Sequence, residues 1–127
     1  MCLPPCHIMF QCYVNDDELD MCVYMRSVDL CLGLPSDIVL YAALLILLAA
    51  DTNLKPGALT FMLGDTHVYQ NHVPVLQEQL ERTPGTLPTW HLWGQHPEHG
   101  FIDTFHPDML SIINYNPQGA LSYEFNV

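Results

Sequence analysis

The sequence predicts a single mixed α/β (α+β) domain that covers residues 1–127. Three observations support this prediction. Segments rich in strand formers lie on both sides of one long apolar run at 38–50. Turn signals made of Pro, Gly, Asn and Asp separate these segments, and a second segment at 71–82 has the apolar spacing of an amphipathic helix. A chain of 127 residues, half of them hydrophobic, is long enough for one domain with a core.

The first half of the chain predicts a hairpin followed by a buried helix. Residues 7–14 form a mixed apolar strand, 15–17 is an Asn-Asp-Asp turn, and the returning strand runs to about Tyr24. Leu32-Gly33-Leu34-Pro35 is expected to break the pattern. The helix predicted over Ile38 to Ala50 is apolar on every face, which predicts burial on all sides.

Further elements follow from the same kind of signal. Ser36 or Asp37 is expected to cap the apolar helix. Lys55-Pro56-Gly57 predicts a turn and Ala58 to Leu63 a short strand, while Asn71 to Arg82 predicts a helix with Pro74 near its first turn. The remaining expectations are a stop at Thr83-Pro84-Gly85, a strand over Thr86 to Trp93, a loop over Gly94 to Gly100, an irregular segment over Phe101 to Pro107, and final strands over Met109 to Ile113 and Ser122 to Val127.

The charge and the apolar pattern exclude two classes of partner. The net charge is −11 and the chain has only three Lys and Arg residues, so we expect no nucleic-acid partner. The 13-residue apolar run is shorter than the roughly 20 residues that a membrane span needs, so we expect no membrane partner. Met1 to Phe10 contains no Lys or Arg and does not resemble a signal peptide.

The five cysteines form no CxxC pair and no tight Cys/His cluster in the sequence. This usage favours a reducing cytoplasm over a disulfide framework, and we expect no metal site. The stretch His91 to His106 is rich in His and is read as a soluble or variable loop, with metal binding as the alternative.

Three short motifs carry residue types suited to chemistry, and each also has a structural explanation. Cys6 is a candidate nucleophile, or a buried structural thiol. Arg26-Ser27 can hold an anion, or Arg26 can form a surface ion pair. His67 and Tyr69 lie on one face of an extended segment and can hold a hydroxyl, or they are a core His and a structural Tyr.

Taken in order, these motifs resemble the thymidylate synthase family, and specifically the C-terminal half of its domain, over Leu3 to Val127. The motifs that carry the resemblance are Pro5-Cys6-His7, Arg26-Ser27-x-Asp29, Leu32-Gly33-Leu34-Pro35, Leu54-Lys55-Pro56-Gly57, Gly64-Asp65-Thr66-His67-x-Tyr69-x-Asn71-His72, Arg82-Thr83-Pro84 and Tyr115-Asn116-Pro117. The resemblance implies a mixed sheet packed on the apolar helix, incomplete without the N-terminal half of the domain.

The resemblance also implies a role for each motif. Cys6 would add to C6 of a pyrimidine deoxynucleotide, and C5 would then attack the one-carbon unit of 5,10-methylenetetrahydrofolate. Arg26 and Ser27 would hold the 5′-phosphate, and Asp29 would bind the pterin. The same resemblance has His67 and Tyr69 hold the 3′-hydroxyl, while Val127 closes over the folate.

Asp37 departs from the family pattern. Thymidylate synthases have Pro-Phe-Asn where this chain has Pro35-Ser36-Asp37. An Asn side chain matches uracil, whereas a carboxylate accepts well from the amino group of cytosine. Asp37, like Met25 before the arginine, resembles the deoxycytidylate hydroxymethylase branch found with bacterial viruses. We therefore expect dCMP as substrate and either a methyl or a hydroxymethyl product, in the cytoplasm, which could be that of an infected host.

The alternatives are a thymidylate synthase acting on dUMP, and an inactive remnant that binds nucleotide or dimerises. In the family, the N-terminal half supplies an essential Glu, an active-site Trp and further phosphate-binding arginines, two of them from the other subunit of a homodimer. Cys6 lies close to the N-terminus, where chains tend to fray. We therefore expect a fragment or one half of a split enzyme, with a homodimer and a separate N-terminal half as partners.

Overall fold

The fold is built on a three-stranded mixed sheet that packs on one long helix. The computed structural model describes residues 4–94 and 100–125. Strand β1 (His7–Asn15) pairs antiparallel with β2 (Glu18–Asp29), and β2 pairs parallel with β3 (Lys55–His67). Helix α1 (Gly33–Asp51) makes the connection between the two parallel strands, as such a crossover requires. The α+β class predicted from the sequence is confirmed.

The second half of the chain adds smaller elements around this unit. A 3₁₀ turn (Gln70–His72) leads directly into helix α2 (Val73–Leu80). A separate antiparallel pair consists of β4 (Thr89–Leu92) and β5 (Leu110–Ile113), and the short helix α3 (Phe101–Thr104) lies between them in sequence. The predicted strand over Ser122 to Val127 is wrong for residues 122–125, which are not in a strand, and residues 126–127 lie outside the described residues.

The core lies between one face of β2 and one stripe of α1. Leu19, Met21, Val23 and Met25 alternate along β2, so all four point to the same face of the strand and are buried. Tyr41, Leu45 and Ala49 recur every four residues on α1 and are also buried. Strand and helix therefore meet along a single seam.

The prediction that α1 is buried on all sides is wrong for this chain. Ile38, Val39 and Leu40 are 43%, 47% and 59% exposed, because the sheet covers only the stripe that faces β2. The helix is long and apolar enough to cross a membrane by length and composition, a test that the core helix of a soluble domain also passes. An apolar surface therefore extends around the helix away from the sheet.

The start of α1 also differs from the prediction. The helix begins at Gly33 rather than near Ile38, and the predicted break at Leu32 to Pro35 is wrong. Pro35 fits because it is in the first turn, where backbone N–H groups have no partner within the helix. No side chain caps the helix, so the expected capping role of Ser36 or Asp37 is wrong: the Ser36 hydroxyl donates to the Leu32 carbonyl at 3.2 Å.

Strand β2 is longer than predicted and continues through Arg26, Ser27 and Asp29. Strand β3 is longer as well, and it starts at Lys55, where a turn was predicted. Parallel pairing places Asp29 opposite His67 at the end of the ladder, and the Leu30 N–H donates to the His67 carbonyl at 3.1 Å. The sheet thereby brings two motifs that are far apart in sequence to the same edge.

Candidate active site

A cleft of about 470 Å³ lies at the first turn of α1 and at the ends of β2 and β3. It is lined by Asp29, Leu32, Gly33, Ser36, Asp37, Tyr69 and Phe125. Two carboxylates and a phenol thus face a cavity whose other walls include Leu and Phe. The position follows from the fold, because the strand ends and the helix start converge there.

Asp37 is held in the cleft by a chain of hydrogen bonds. Its carboxylate Oδ1 lies 3.1 Å from Nε2 of His7, and Nδ1 of His7 lies 2.9 Å from the Tyr41 hydroxyl. An ionised carboxylate only accepts, so Nε2 carries the proton and Nδ1 accepts from the Tyr41 hydroxyl. The His7 and Tyr41 rings also stack, with centroids 5.3 Å apart. This order of donors keeps Asp37 an acceptor.

Burial raises the pKa of Asp37, because the charged form loses solvation; the hydrogen bond from His7 opposes this rise. Burial, followed by the charge of Asp37, also raises the pKa of Tyr41, so the phenol stays a donor at neutral pH. The Asp37 side chain is 18% exposed, and a ligand in the cleft can reach it.

Asp29 also lines the cleft, and contacts on either side of it in space fix its carboxylate. Its Oδ1 accepts from the backbone N–H of Cys31 at 3.0 Å, which closes a tight turn after β2. Nδ1 of the fully buried His72 lies 4.0 Å from the same oxygen. Burial raises the pKa of the Cys31 thiol, and the charge of Asp29 adds to the rise.

His67 and Tyr69 lie close together, as their spacing predicts. Their rings meet edge to face at 5.2 Å, and Tyr69 contacts His72 in the same way at 5.3 Å. His67 Nδ1 is 3.2 Å from the Asp65 carbonyl. Tyr69 lines the cleft, whereas His67 does not.

Cys6 and Arg26 are linked through the backbone. The Arg26 N–H donates to the Cys6 carbonyl at 2.9 Å, and the guanidinium donates to the carbonyls of Pro5 at 2.9 Å and Pro4 at 2.6 Å. Three hydrogen bonds therefore tie the segment that bears the thiol to β2. Cys6 is half-buried at the margin of the core.

The structure brings Asp29, Asp37 and Tyr69 to one cleft, while Cys6, Arg26, Ser27 and His67 do not line it. Val127 lies outside the described residues, so its expected closing role stays a prediction.

His7 and His72 contact the residues of the cleft, although neither was predicted from the sequence as part of the base or folate site. His7 belongs to the Pro5-Cys6-His7 motif, but its contacts with Asp37 and Tyr41 on α1 form only in the fold. His72 had no local signal beyond its place in the Gly64–His72 motif, and it becomes buried only through packing.

The chain is similar to known proteins over its whole length. The sequence model of the thymidylate synthase family matches residues 1–127. The bifunctional dihydrofolate reductase-thymidylate synthases of Leishmania major and Leishmania amazonensis are 43% and 41% identical to it over 129 residues, and the bifunctional dihydrofolate reductase-thymidylate synthase 2 of Arabidopsis thaliana is 41% identical over 127 residues. Each alignment covers 100% of this chain but only 24%, 24% and 22% of the relative.

The mixed sheet, the apolar helix and the cleft at their junction define an α+β domain with a candidate ligand site. More specifically, the chain belongs to the thymidylate synthase family. The resemblance read from the sequence is confirmed at that level, whereas the hydroxymethylase branch and a viral source stay predictions, since the relatives named above are thymidylate synthases of Leishmania and Arabidopsis.

The thymidylate synthase family uses 5,10-methylenetetrahydrofolate as co-substrate. The cleft suits part of such a molecule. Its volume is within the roughly 300–1,000 Å³ typical of ligand pockets. Asp29 offers an acceptor for ring N–H groups, and Leu32 and Phe125 offer apolar surface for an aromatic ring.

Proposed function

We propose that this chain is the C-terminal part of a pyrimidine deoxynucleotide C5 one-carbon transferase of the thymidylate synthase type. The observation that carries the proposal is the cleft shared by Asp29, Asp37 and Tyr69 in a chain matched over residues 1–127 by the family. The three residues come from β2, α1 and the segment after β3, so only the folded domain joins them.

The proposed mechanism gives each group one task. The thiolate of Cys6 forms a bond to C6 of the base, which breaks the C5=C6 double bond and makes C5 nucleophilic. C5 bonds to the one-carbon unit, its hydrogen leaves as a proton, and the bond between that unit and the folate nitrogen breaks to give an exocyclic methylene. Hydride, or hydroxide from water for a hydroxymethyl product, adds to this methylene as the thiolate is expelled, which restores the C5=C6 double bond. The folate supplies the one-carbon unit and, for a methyl product, the hydride.

The remaining residues bind and orient. Arg26 and Ser27 hold the 5′-phosphate, His67 and Tyr69 hold the 3′-hydroxyl, and Asp29 holds the pterin. Val127 closes over the folate, which excludes water and favours a methyl over a hydroxymethyl product. Holding two substrates at one carbon supplies much of the rate.

The chain acts with the N-terminal half of the family's domain, on the same or on a separate polypeptide. Two features support this proposal. The exposed apolar residues Ile38, Val39 and Leu40 on α1 form a surface that another part of a domain would cover. The net charge of −11 calls for cations from elsewhere if two anionic substrates are to bind.

A homodimer is part of the same proposal. Met9, Tyr24 and Met62 stand side by side across β1, β2 and β3 and are 57%, 41% and 57% exposed. They lie on the sheet face opposite α1, because their neighbours Val23 and Met25 point into the core. A second copy with the same row would bury both.

The relatives' names favour dUMP as the nucleotide, since they are thymidylate synthases. A specific observation favours dCMP as a second candidate. The donors of Tyr41 and His7 keep Asp37 an acceptor, which suits the cytosine amino group. O4 of uracil would face it acceptor to acceptor, at a cost of about 1–3 kcal/mol.

The test is release of tritium from C5 of labelled dUMP and dCMP. The chain is co-expressed with the N-terminal half of the Leishmania major domain, with methylenetetrahydrofolate present. We expect release to stop in Cys6→Ala and to continue in Cys12→Ala, which removes an exposed thiol from β1. No release with either nucleotide from the unaltered pair would refute a transferase; nucleotide binding without release would identify an inactive remnant.

A further inference from the structure

A compact group of three potential metal ligands lies beside the cleft. Asp29 ends β2, Cys31 follows it in the turn before α1, and His72 ends the 3₁₀ turn after β3. One ligand atom from each of the three lies within 4.8 Å of the others. His72 is 1% and Cys31 8% exposed, so the group is largely shielded from water.

Local contacts hold the three side chains in place. The turn that joins Asp29 to Cys31 is closed by the 3.0 Å hydrogen bond between them. The imidazole of His72 is packed between Tyr69 and Tyr123, with ring centroids 5.3 Å and 5.2 Å away. Little rearrangement is therefore needed to bring the ligands together.

The contact between His72 and the backbone of Glu124 determines which ring nitrogen of His72 carries the proton. Nε2 lies 2.6 Å from the backbone carbonyl of Glu124, which only accepts, so Nε2 carries a proton. Nδ1 is then the nitrogen on the side of Asp29, 4.0 Å from its Oδ1. A ring N–H donated to a backbone carbonyl is the usual outer contact of a metal-binding His.

We propose that Asp29, Cys31 and His72 form a Zn²⁺ site. A thiolate, an imidazole and a carboxylate are the ligand types that Zn²⁺ prefers, and three protein ligands with water in the fourth position complete a tetrahedron. With Zn–S near 2.3 Å and Zn–N near 2.0 Å, ligand atoms stand roughly 3.3–3.7 Å apart, so the group contracts by about 1 Å. On binding, the Cys31 thiol transfers its proton to solvent as the Zn–S bond forms.

If Asp29 holds the pterin, as the proposed function has it, Zn²⁺ and the folate compete for the same side chain. A carboxylate that coordinates Zn²⁺ is not available to the pterin, so the metal and the folate exclude each other. Zn²⁺ would then act as an inhibitor of the folate site, through Cys31 next to it.

The experiment is a titration of the full chain with ZnCl₂ alone, followed by calorimetry, and a parallel titration with Co²⁺, whose thiolate charge-transfer absorption reports a Cys ligand. We expect one tight site in the unaltered chain. Cys31→Ala should weaken it by more than the roughly 10–100-fold that loss of an outer contact costs. Cys22→Ala, which removes a half-buried thiol from β2, should leave the affinity unchanged.

Two further variants make the result decisive. Asp29→Asn keeps the size of the side chain and should also weaken binding, with circular dichroism showing that each variant is folded. The exposed His91 and His106 are replaced together as a control for the His-rich stretch. Equal Zn²⁺ affinity in Cys31→Ala, no binding by the unaltered chain, or binding lost only with His91 and His106 would each overturn the site.

The proposed metal site and the proposed function can be refuted independently of each other. Zn²⁺ binding is measured without folate or nucleotide, so absence of transferase activity leaves it standing. Methylenetetrahydrofolate added to the Zn²⁺-loaded chain should displace the metal. The affinity for the folate should fall in the presence of Zn²⁺ by the same factor as the affinity for Zn²⁺ falls in the presence of the folate. Independent binding of the two would overturn the inhibitory role.

Discussion

Replacement of Asp37 by Asn tests how the cleft reads the base. In the unaltered chain the Asp37 side chain is 18% exposed and its carboxylate is hydrogen-bonded to His7. A base that binds to it is therefore largely shielded from water. Opposite uracil O4 the carboxylate leaves an acceptor unpaired, at about 1–3 kcal/mol. An Asn amide donates to O4 instead, and presents the wrong group to the cytosine amino group at a similar cost.

The two effects act in opposite directions on the two nucleotides. Their sum is at least about 2 kcal/mol, so the preference for dCMP over dUMP should change by roughly 30-fold or more towards dUMP. The assay is competition between dUMP and dCMP for binding to the chain joined with its N-terminal half, followed by calorimetry. Asp37→Ala is the control, because it removes the contact for both bases. An unchanged preference in Asp37→Asn would refute this account of Asp37.

Four other predictions follow from the described contacts. Tyr41→Phe removes the donor to His7 and should reduce the dCMP/dUMP binding ratio, whereas equal loss for both nucleotides would make Tyr41 purely structural. The raised pKa of Asp37 means that it takes up a proton at a higher pH than an ordinary Asp, and a protonated carboxyl can donate to O4; relative dUMP binding should therefore increase as pH falls, and a pH-independent ratio would contradict this. Tyr24→Glu places a charge in the exposed row of the sheet and should shift the assembly from dimer to monomer in light scattering, and an unchanged dimer would contradict this face as the interface. Leu45→Ala should lower the free energy of unfolding by about 2–5 kcal/mol in urea titration, and a loss under about 1 kcal/mol would contradict its place in the core.

Local patterns in the sequence were sufficient for the hairpin and for the existence of α1, because strand formers and a continuous apolar run are local signals. The end of β2 was not predicted, since polar residues from Arg26 to Asp29 conceal a strand whose pairing with β3 is formed only in the fold. Burial of α1 was overestimated for a related reason. Hydropathy shows that a surface is apolar, but not which part of the molecule covers it.

The residues of the candidate site likewise fall into those that sequence motifs predict and those that only the fold brings together. Asp29, Asp37 and Tyr69 were named from motifs, and they share the cleft. The role of His7 was not predicted, because its partners Asp37 and Tyr41 lie on α1, far away in sequence. His72 is one of seven His residues, and its burial depends on packing against Tyr69 and Tyr123.

The clamp of Arg26 on the Pro4 and Pro5 carbonyls affects how kinetic data on this site should be interpreted. If the same guanidinium also binds the 5′-phosphate, its loss releases the segment that bears Cys6 as well as the nucleotide. Arg26→Lys would then lower kcat together with raising KM, because an ammonium group lacks the planar fork that spans the two carbonyls. Ser27→Ala leaves the clamp intact and should change KM alone. Substrate affinity and placement of the nucleophile are thus coupled through one side chain.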